Sequence, residues 1–210
     1  MSERRMTQIS SRKQPKQARS TRLVEDVLQA AIQVLAKEGA PRFTMARVAE
    51  KAGVSVGSLY QYFPNKAALL FRLQSDEWRE TGDLLREILE DREKTPRERL
   101  HALTRAFIRS ECEEAEMRVA LSDAAPLYRD APETQEVRAS GRCTIQAFML
   151  EVLPDAAEPA RVLAGELIGA TFGAVGKQFS EQPRTPAEID VYAEAMAEMF
   201  WAYLERVREG

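Results

Sequence analysis

The stretch Phe43 to Lys66, FTMARVAEKAGVSVGSLYQYFPNK, reads as two short helices joined by a tight turn. Thr44 stands as a hydroxyl N-cap before MARVAEKA, and Gly53 follows the last helical residue, where a glycine takes positive φ without steric cost. Ser55 is a second N-cap directly after the turn, and Pro64 closes the second helix. Val48, Ala49, Val54, Leu59 and Phe63 fall where two crossed helices share a small core. Phe43, just ahead of the Thr44 cap, is placed to staple the helix entry. This is a helix-turn-helix pattern, whose second helix can enter a DNA major groove.

The helix starts point the same way. A helix N-terminus carries about half a positive charge, so its first turn gains from Asp or Glu. The first turns after Thr44, Ser55 and Asn65 hold no acid and two bases, Arg47 and Lys66. Those after Thr95 and Thr185 are capping boxes with proline at the first position and Glu98 or Glu188 at the third. A local violation of this kind is expected where an external anion completes the site, because free N–H groups at helix starts receive phosphate.

Outward from this unit, helical periodicity predicts an all-α fold. A first helix runs from Ser20 or Thr21 to before Gly39, with Leu23, Val27, Ala31 and Leu35 as an apolar stripe. A longer one runs from Asn65 toward Glu90. Further helices span Pro96 to Glu114, Glu116 to about Ala124, Pro132 or Glu133 to Leu153, Pro159 to Gln182 and Pro186 to about Arg208. The expected organisation is a basic disordered arm over 1–19, a three-helix DNA-binding domain over 20–66, and a helical-bundle regulatory and dimerisation domain over 67–210. The arm follows phosphates or a minor groove, or is a solubilising tail.

Charge follows the same division. Residues 1–70 hold 12 Lys/Arg against 5 Asp/Glu, while the other 140 hold 18 against 28. One end is built to meet an anion. An apolar fraction of 44% in 210 residues supports a buried core. Two cysteines make no disulfide framework and no metal-ligand pattern with the single His101, so no metal and no cofactor is expected. No catalytic constellation or Gly-rich phosphate loop is present, which argues against an enzyme. The basic N-terminus lacks the apolar run of a secretory signal. Leu167 to Gly176 falls far short of the roughly 20 apolar residues of a membrane span, so a cytoplasmic location away from membrane is expected.

At Thr44 to Leu70 the residues TMARVAEKAGVSVGSLYQYFPNKAALL match the pattern TxxxVAxxAGVSxGSLYxYFxNKxxLL, and the chain resembles the tetracycline-repressor (TetR) family of bacterial transcription regulators. With the first helix, the resemblance covers about a quarter of the chain. It implies a homodimer that sets two recognition helices in successive major grooves of a palindromic operator and is released by a small-molecule effector. Carried onto this sequence, it implies that Thr44 caps its helix and bonds a phosphate, that Ser55, Gly57 and Ser58 meet phosphate or base edges, that Tyr60 and Tyr62 contact DNA, and that Lys66 binds phosphate.

The residues themselves add detail. On a helical wheel Leu59 and Phe63 share the inward face while Gly57, Ser58 and Gln61 point away. Val56 either touches a thymine methyl or fills the small core. Arg47 is either a backbone contact or a solvated surface arginine. In the second half Leu103, Phe107, Met117, Leu121, Phe148, Met149, Phe172 and Phe179 line an apolar effector cavity or make plain core, with His101, Arg105 and Gln146 as candidate polar contacts. Helix-interior glycines cost about 1 kcal/mol each relative to alanine and so need a packing reason. Gly165, Gly169 and Gly173 with Phe172, and Tyr192, Met196, Phe200 and Tyr203 of the last helix, are expected to form half of a four-helix dimer interface. The function expected is a dimeric, ligand-responsive repressor with a largely hydrophobic effector. The alternative is an architectural or protein-partner-controlled DNA-binding protein.

Overall fold

A computed structural model describes residues 18–128 and 143–209, with side chains from Ser20 onward. Among the described residues every regular element is helical. In chain order they are α1 (Ala18–Arg42), α2 (Met45–Lys51), α3 (Val56–Tyr62), α4 (Lys66–Glu90), α5 (Pro96–Glu113), α6 (Ala115–Ala124) with a 3-10 turn at Ala125–Leu127, α7 (its described part 143–152), α8 (Glu158–Ser180) and α9 (Pro186–Glu209). The arm expected over 1–19 and the start of the helix expected at Pro132 or Glu133 lie outside this description.

Regular geometry in α1 stops at Gly39, whose φ of 71° and ψ of 169° interrupt the helix before a last short piece ending at Arg42. Only glycine takes that φ cheaply, so the chain turns there and delivers Phe43 into the core. Gly53, at φ 66°, does the same between α2 and α3. Thr95 makes the reciprocal capping box expected for α5, accepting from the Glu98 amide while the Glu98 carboxylate accepts from the Thr95 amide.

The chain forms two compact units that divide within α4, between Glu77 and Trp78. In the first, Val27, Ala31 and Leu35 of α1 pack with Val48, Ala49, Leu59, Phe63 and Phe43. That core continues past Lys66 through Leu69, Leu70 and Leu73, and takes in Ala120, Leu121, Ala124 and Tyr128 from α6 and its turn. The boundary expected after residue 66 therefore falls inside this core. The cause is the apolar face of early α4, which α1, α2 and α3 leave unfilled and α6 closes. A polar group is buried with it: the Tyr128 hydroxyl donates to the Leu121 carbonyl at 3.1 Å, and Arg118 pairs with the buried Glu77 at 2.8 Å.

The second unit joins the end of α4 to α5, α7, α8 and α9 around Leu100, Leu103, Ile108, Phe148, Met149, Ile168, Phe172, Met196 and Phe200. At its centre Arg99, fully buried, holds the Glu151 carboxylate and the Leu89 carbonyl, while Arg92 pairs with Glu151 from the surface.

Candidate functional site

The first unit presents three helix starts without an acid. At α2, the Thr44 hydroxyl accepts from the Arg47 amide at 3.3 Å. At α3, the Ser55 hydroxyl accepts from the Ser58 amide at 3.0 Å and lies 2.8 Å from the Ser58 hydroxyl. At α4, the Asn65 side-chain oxygen accepts from the Ala68 amide at 2.8 Å. Each side chain satisfies one of the first-turn N–H groups that a helix leaves without an intrahelical partner.

Leu59, Tyr62 and Phe63 anchor α3 in the core, and the opposite face is open. Val56 and Tyr60 are 40% and 41% exposed, with Gly57 and Gln61 also exposed and Ser58 half-buried. Of the two readings of Val56, burial in the core is therefore ruled out. A Cβ on Gly57 would meet only the Ser55 hydroxyl, at 3.8 Å, so nothing inside the protein requires a glycine here. Tyr62, matched to a DNA-contacting position, has its ring buried at 8% exposure.

The two bases differ in their partners. Lys66 Nζ donates to the Ala40 carbonyl at 2.6 Å and lies 5.6 Å from the centre of the Phe43 ring. Partial burial pushes its pKa below the usual lysine value. Arg47 is neither free nor simply solvated: its Nη1 pairs with Glu38 and sits 3.5 Å from the Arg42 carbonyl. That pairing spans the turn at Gly39 and leaves no local sequence pattern.

The residues proposed to line an effector cavity separate. Met117 and Leu121 pack in the first unit's core, whereas Leu103, Phe107, Phe148, Met149, Phe172 and Phe179 belong to the second. There Phe107, Phe172 and Phe200 form a ring chain with centroids 4.7 and 5.1 Å apart, and Phe179 stacks on Tyr192 at 3.9 Å under the Arg184 guanidinium. An open groove of about 350 Å³ lies elsewhere in this unit, between α4 and α5. It is lined by Leu84, Ala102, Arg105, Ala106, Arg109, Ser110 and Glu113. Of the sequence candidates, Arg105 reaches it.

His101 stands between Glu194 and Glu198 on α9, with Nδ1 3.2 Å from one carboxylate and Nε2 3.0 Å from the other. Arg97 grips Glu198 at 2.7 and 2.8 Å and holds that carboxyl below its usual pKa, while Arg105 lies 3.6 Å from Glu194. The three groups offer ligand atoms within 4.8 Å of one another, but arginines already compensate the carboxylates. Because α5 and α9 are far apart in the chain, sequence spacing around His101 did not show this cluster.

The expected dimer residues also divide. Phe172, Met196 and Phe200 are buried within the chain, and Gly165, like Gly176 further along α8, faces close neighbours in it. An added Cβ would lie 2.6 Å from Gln146 Nε2 at Gly165 and 2.8 Å from Phe107 at Gly176. Gly169 and Gly173 have nothing within 4 Å of that position.

An α-helical unit whose short, capped second helix offers an open face beside acid-free helix starts defines a helix-turn-helix DNA-binding protein. Comparison with known proteins makes the class specific. Residues 27–73 match the model of bacterial regulatory proteins of the tetR family, and residues 95–207 match the tetracyclin repressor-like C-terminal domain. The chain belongs to the TetR family and is a DNA-binding transcriptional regulator. In structure it is similar to FadR from Bacillus subtilis solved with stearoyl-CoA, at a TM-score of 0.69, 15% identity, and coverage of 84% of this chain and 97% of that one. It is also similar to the fatty acid degradation regulator FadR from Bacillus halodurans, at 0.67, 17%, 89% and 96%. A stretch of 53 residues is 43% identical to the nucleoid occlusion factor SlmA of Vibrio campbellii, covering 25% of this chain and 27% of that protein. The chain thus spans about a quarter of the length of the curated relatives it matches.

Proposed function

We propose that the protein is a ligand-responsive repressor that binds a palindromic operator as a homodimer in the cytoplasm and releases it when a small, largely hydrophobic effector binds the second unit. The observation that carries the reading is the separation of tasks. Acid-free helix starts and a helix with an open face belong to one unit, while the other holds an aromatic-rich core that DNA binding does not need. Thr44, Ser55 and Lys66 fix the backbone register, and Val56, Gly57, Ser58 and Tyr60 meet base edges. Effector binding favours a conformation whose recognition helices leave the one-turn spacing of about 34 to 36 Å. The stearoyl-CoA bound by the Bacillus subtilis neighbour supports an acyl chain as the first effector to try. No catalytic role enters this reading.

Fluorescence anisotropy on the DNA upstream of the protein's own gene tests it. A salt-sensitive preference for that DNA over random duplex is expected, with release by a long-chain acyl-CoA or another apolar compound. A preference that no ligand in a broad screen reverses would count against the effector.

The similarity to a nucleoid occlusion factor favours a second reading, that of an architectural or protein-partner-controlled DNA-binding protein. A genome-wide occupancy map separates the two. Few sites near its own gene would support the repressor, and many dispersed sites the alternative.

A further inference from the structure

Arg47 belongs to the face expected to meet DNA, yet a carboxylate of the same chain holds it. Glu38 is the last residue of α1 before Gly39 breaks the helix. A carboxylate there lies at the negative end of the helix dipole, where a lysine or arginine would be favoured. Its local position is therefore unfavourable, and Arg47 on α2 supplies the compensating charge. The pair is open to solvent, with the two side chains 47% and 28% exposed, so it is a weak one. A guanidinium donates to carboxylate and phosphate oxygens alike, which makes the two anions direct competitors. Lys66 offers the contrast: its partner is a neutral carbonyl, so its charge stays available to phosphate.

We propose that Glu38 is an intramolecular competitor of the DNA backbone, neutralising Arg47 in the free protein and yielding it to a phosphate only in a closely docked complex. Glu38 then sets how much of the face's positive charge any duplex can use. In a loose, non-specific encounter Arg47 stays with Glu38. In a docked complex the phosphate replaces the carboxylate, and the cost of breaking the pair is subtracted from that contact. This makes Glu38 a residue that tempers DNA affinity although it need touch no base.

The test is a salt titration of binding to a fluorescein-labelled random-sequence duplex by the wild type, Glu38→Gln, Glu38→Asp, Arg47→Met and the Glu38→Gln/Arg47→Met double variant. Circular dichroism and thermal melting confirm that each is folded. Glu38→Gln is expected to bind several-fold more tightly at low salt, with log K falling more steeply against log salt by about 0.9, the increment of one added phosphate contact. Glu38→Asp, which keeps the charge but shortens its reach, falls between wild type and Glu38→Gln. In the Arg47→Met background the Glu38→Gln change loses most of its effect. The same gain in both backgrounds would show that Glu38 acts only as a distant negative charge and would overturn the proposal. So would weaker binding by folded Glu38→Gln, which would make the pair a brace for α2. Failure of the wild type to bind any duplex would instead refute DNA binding itself.

Discussion

On the proposed reading, Lys66 and the residues of α3 meet DNA with different chemistry. The ammonium of Lys66 is steered by the Ala40 carbonyl and the Phe43 ring but not neutralised by them, so it contributes charge and carries no sequence information. Lys66→Met should weaken binding to operator and random duplex alike, and make the salt dependence shallower by about 0.9 in log–log slope. Tyr60→Phe or Ser58→Ala should instead change the ratio between sequences while leaving that slope in place. Anisotropy titrations on the two duplexes at several salt concentrations read both quantities. Equal losses from both classes of change would show that phosphate contact and base reading are not divided this way. The caps of this site were legible in the sequence because capping is a three-residue relationship: Thr44 with Arg47, Ser55 with Ser58, Asn65 with Ala68. The pairing of Arg47 with Glu38 was not, since it depends on how the chain turns at Gly39. Nor was the burial of the Tyr62 ring, because a family match assigns a position and not the direction of a side chain.

Helix boundaries were readable for the same local reason, and the Thr95 capping box and the Gly39 break lie where composition puts them. What helical periodicity does not contain is which core a helix joins. The apolar stripe of α6 would serve either unit, and only packing sends Met117 and Leu121 to the first. The glycines of α8 show the same limit: all interrupt the helix equally in sequence, yet Gly176 faces Phe107 and Glu111 while Gly169 faces open space. Gly176→Ala should lower stability by about 1–3 kcal/mol through overpacking. Gly169→Ala has room for its methyl and gains helix propensity of up to about 1 kcal/mol. Thermal denaturation of the two variants separates these outcomes. In the second unit Arg99 has Glu151 as its anionic partner, so Glu151→Gln leaves a charge buried and should cost about 3–5 kcal/mol. The Arg99 guanidinium also depresses the Glu151 pKa. A carboxyl with a folded pKa below its unfolded one adds stability above the unfolded value, and loses it as pH falls through the folded value. The wild type should therefore lose this contribution below about pH 4, and Glu151→Gln should have a flatter acid limb in denaturant titrations at stepped pH.

At the scale of the whole molecule, α8 is apolar on more than one side, which marks a helix covered on more than one side. Its inner face packs through Ala164, Ile168 and Phe172, yet Leu163 and Leu167 are 59% and 48% exposed, and Gly169 and Gly173 face open space. On α9 the inner residues are Met196 and Phe200, while Val191 and Met199 are 73% and 55% exposed. In sequence, Met196, Phe200 and Phe172 look like association residues because a stripe at helical spacing looks alike whether it faces the chain's own core or a second copy. In the folded chain those residues are spent on the core, and Leu163, Leu167, Val191 and Met199 remain to be covered. Exposed apolar surface of this kind marks an interaction site, and a two-fold partner would bring α8 and α9 against their own copies. If a homodimer forms through this face, Leu167→Lys and Met199→Glu should shift sedimentation from dimer to monomer at micromolar concentration with the helical signal intact. Operator affinity should fall in the same variants, because a lone recognition helix reaches one half-site, while weak binding to random duplex persists. Met196→Ala should behave oppositely, costing about 2–5 kcal/mol of fold stability through a core cavity while leaving association unchanged at temperatures where the chain is folded. Dimers that survive both charge substitutions would place the interface elsewhere.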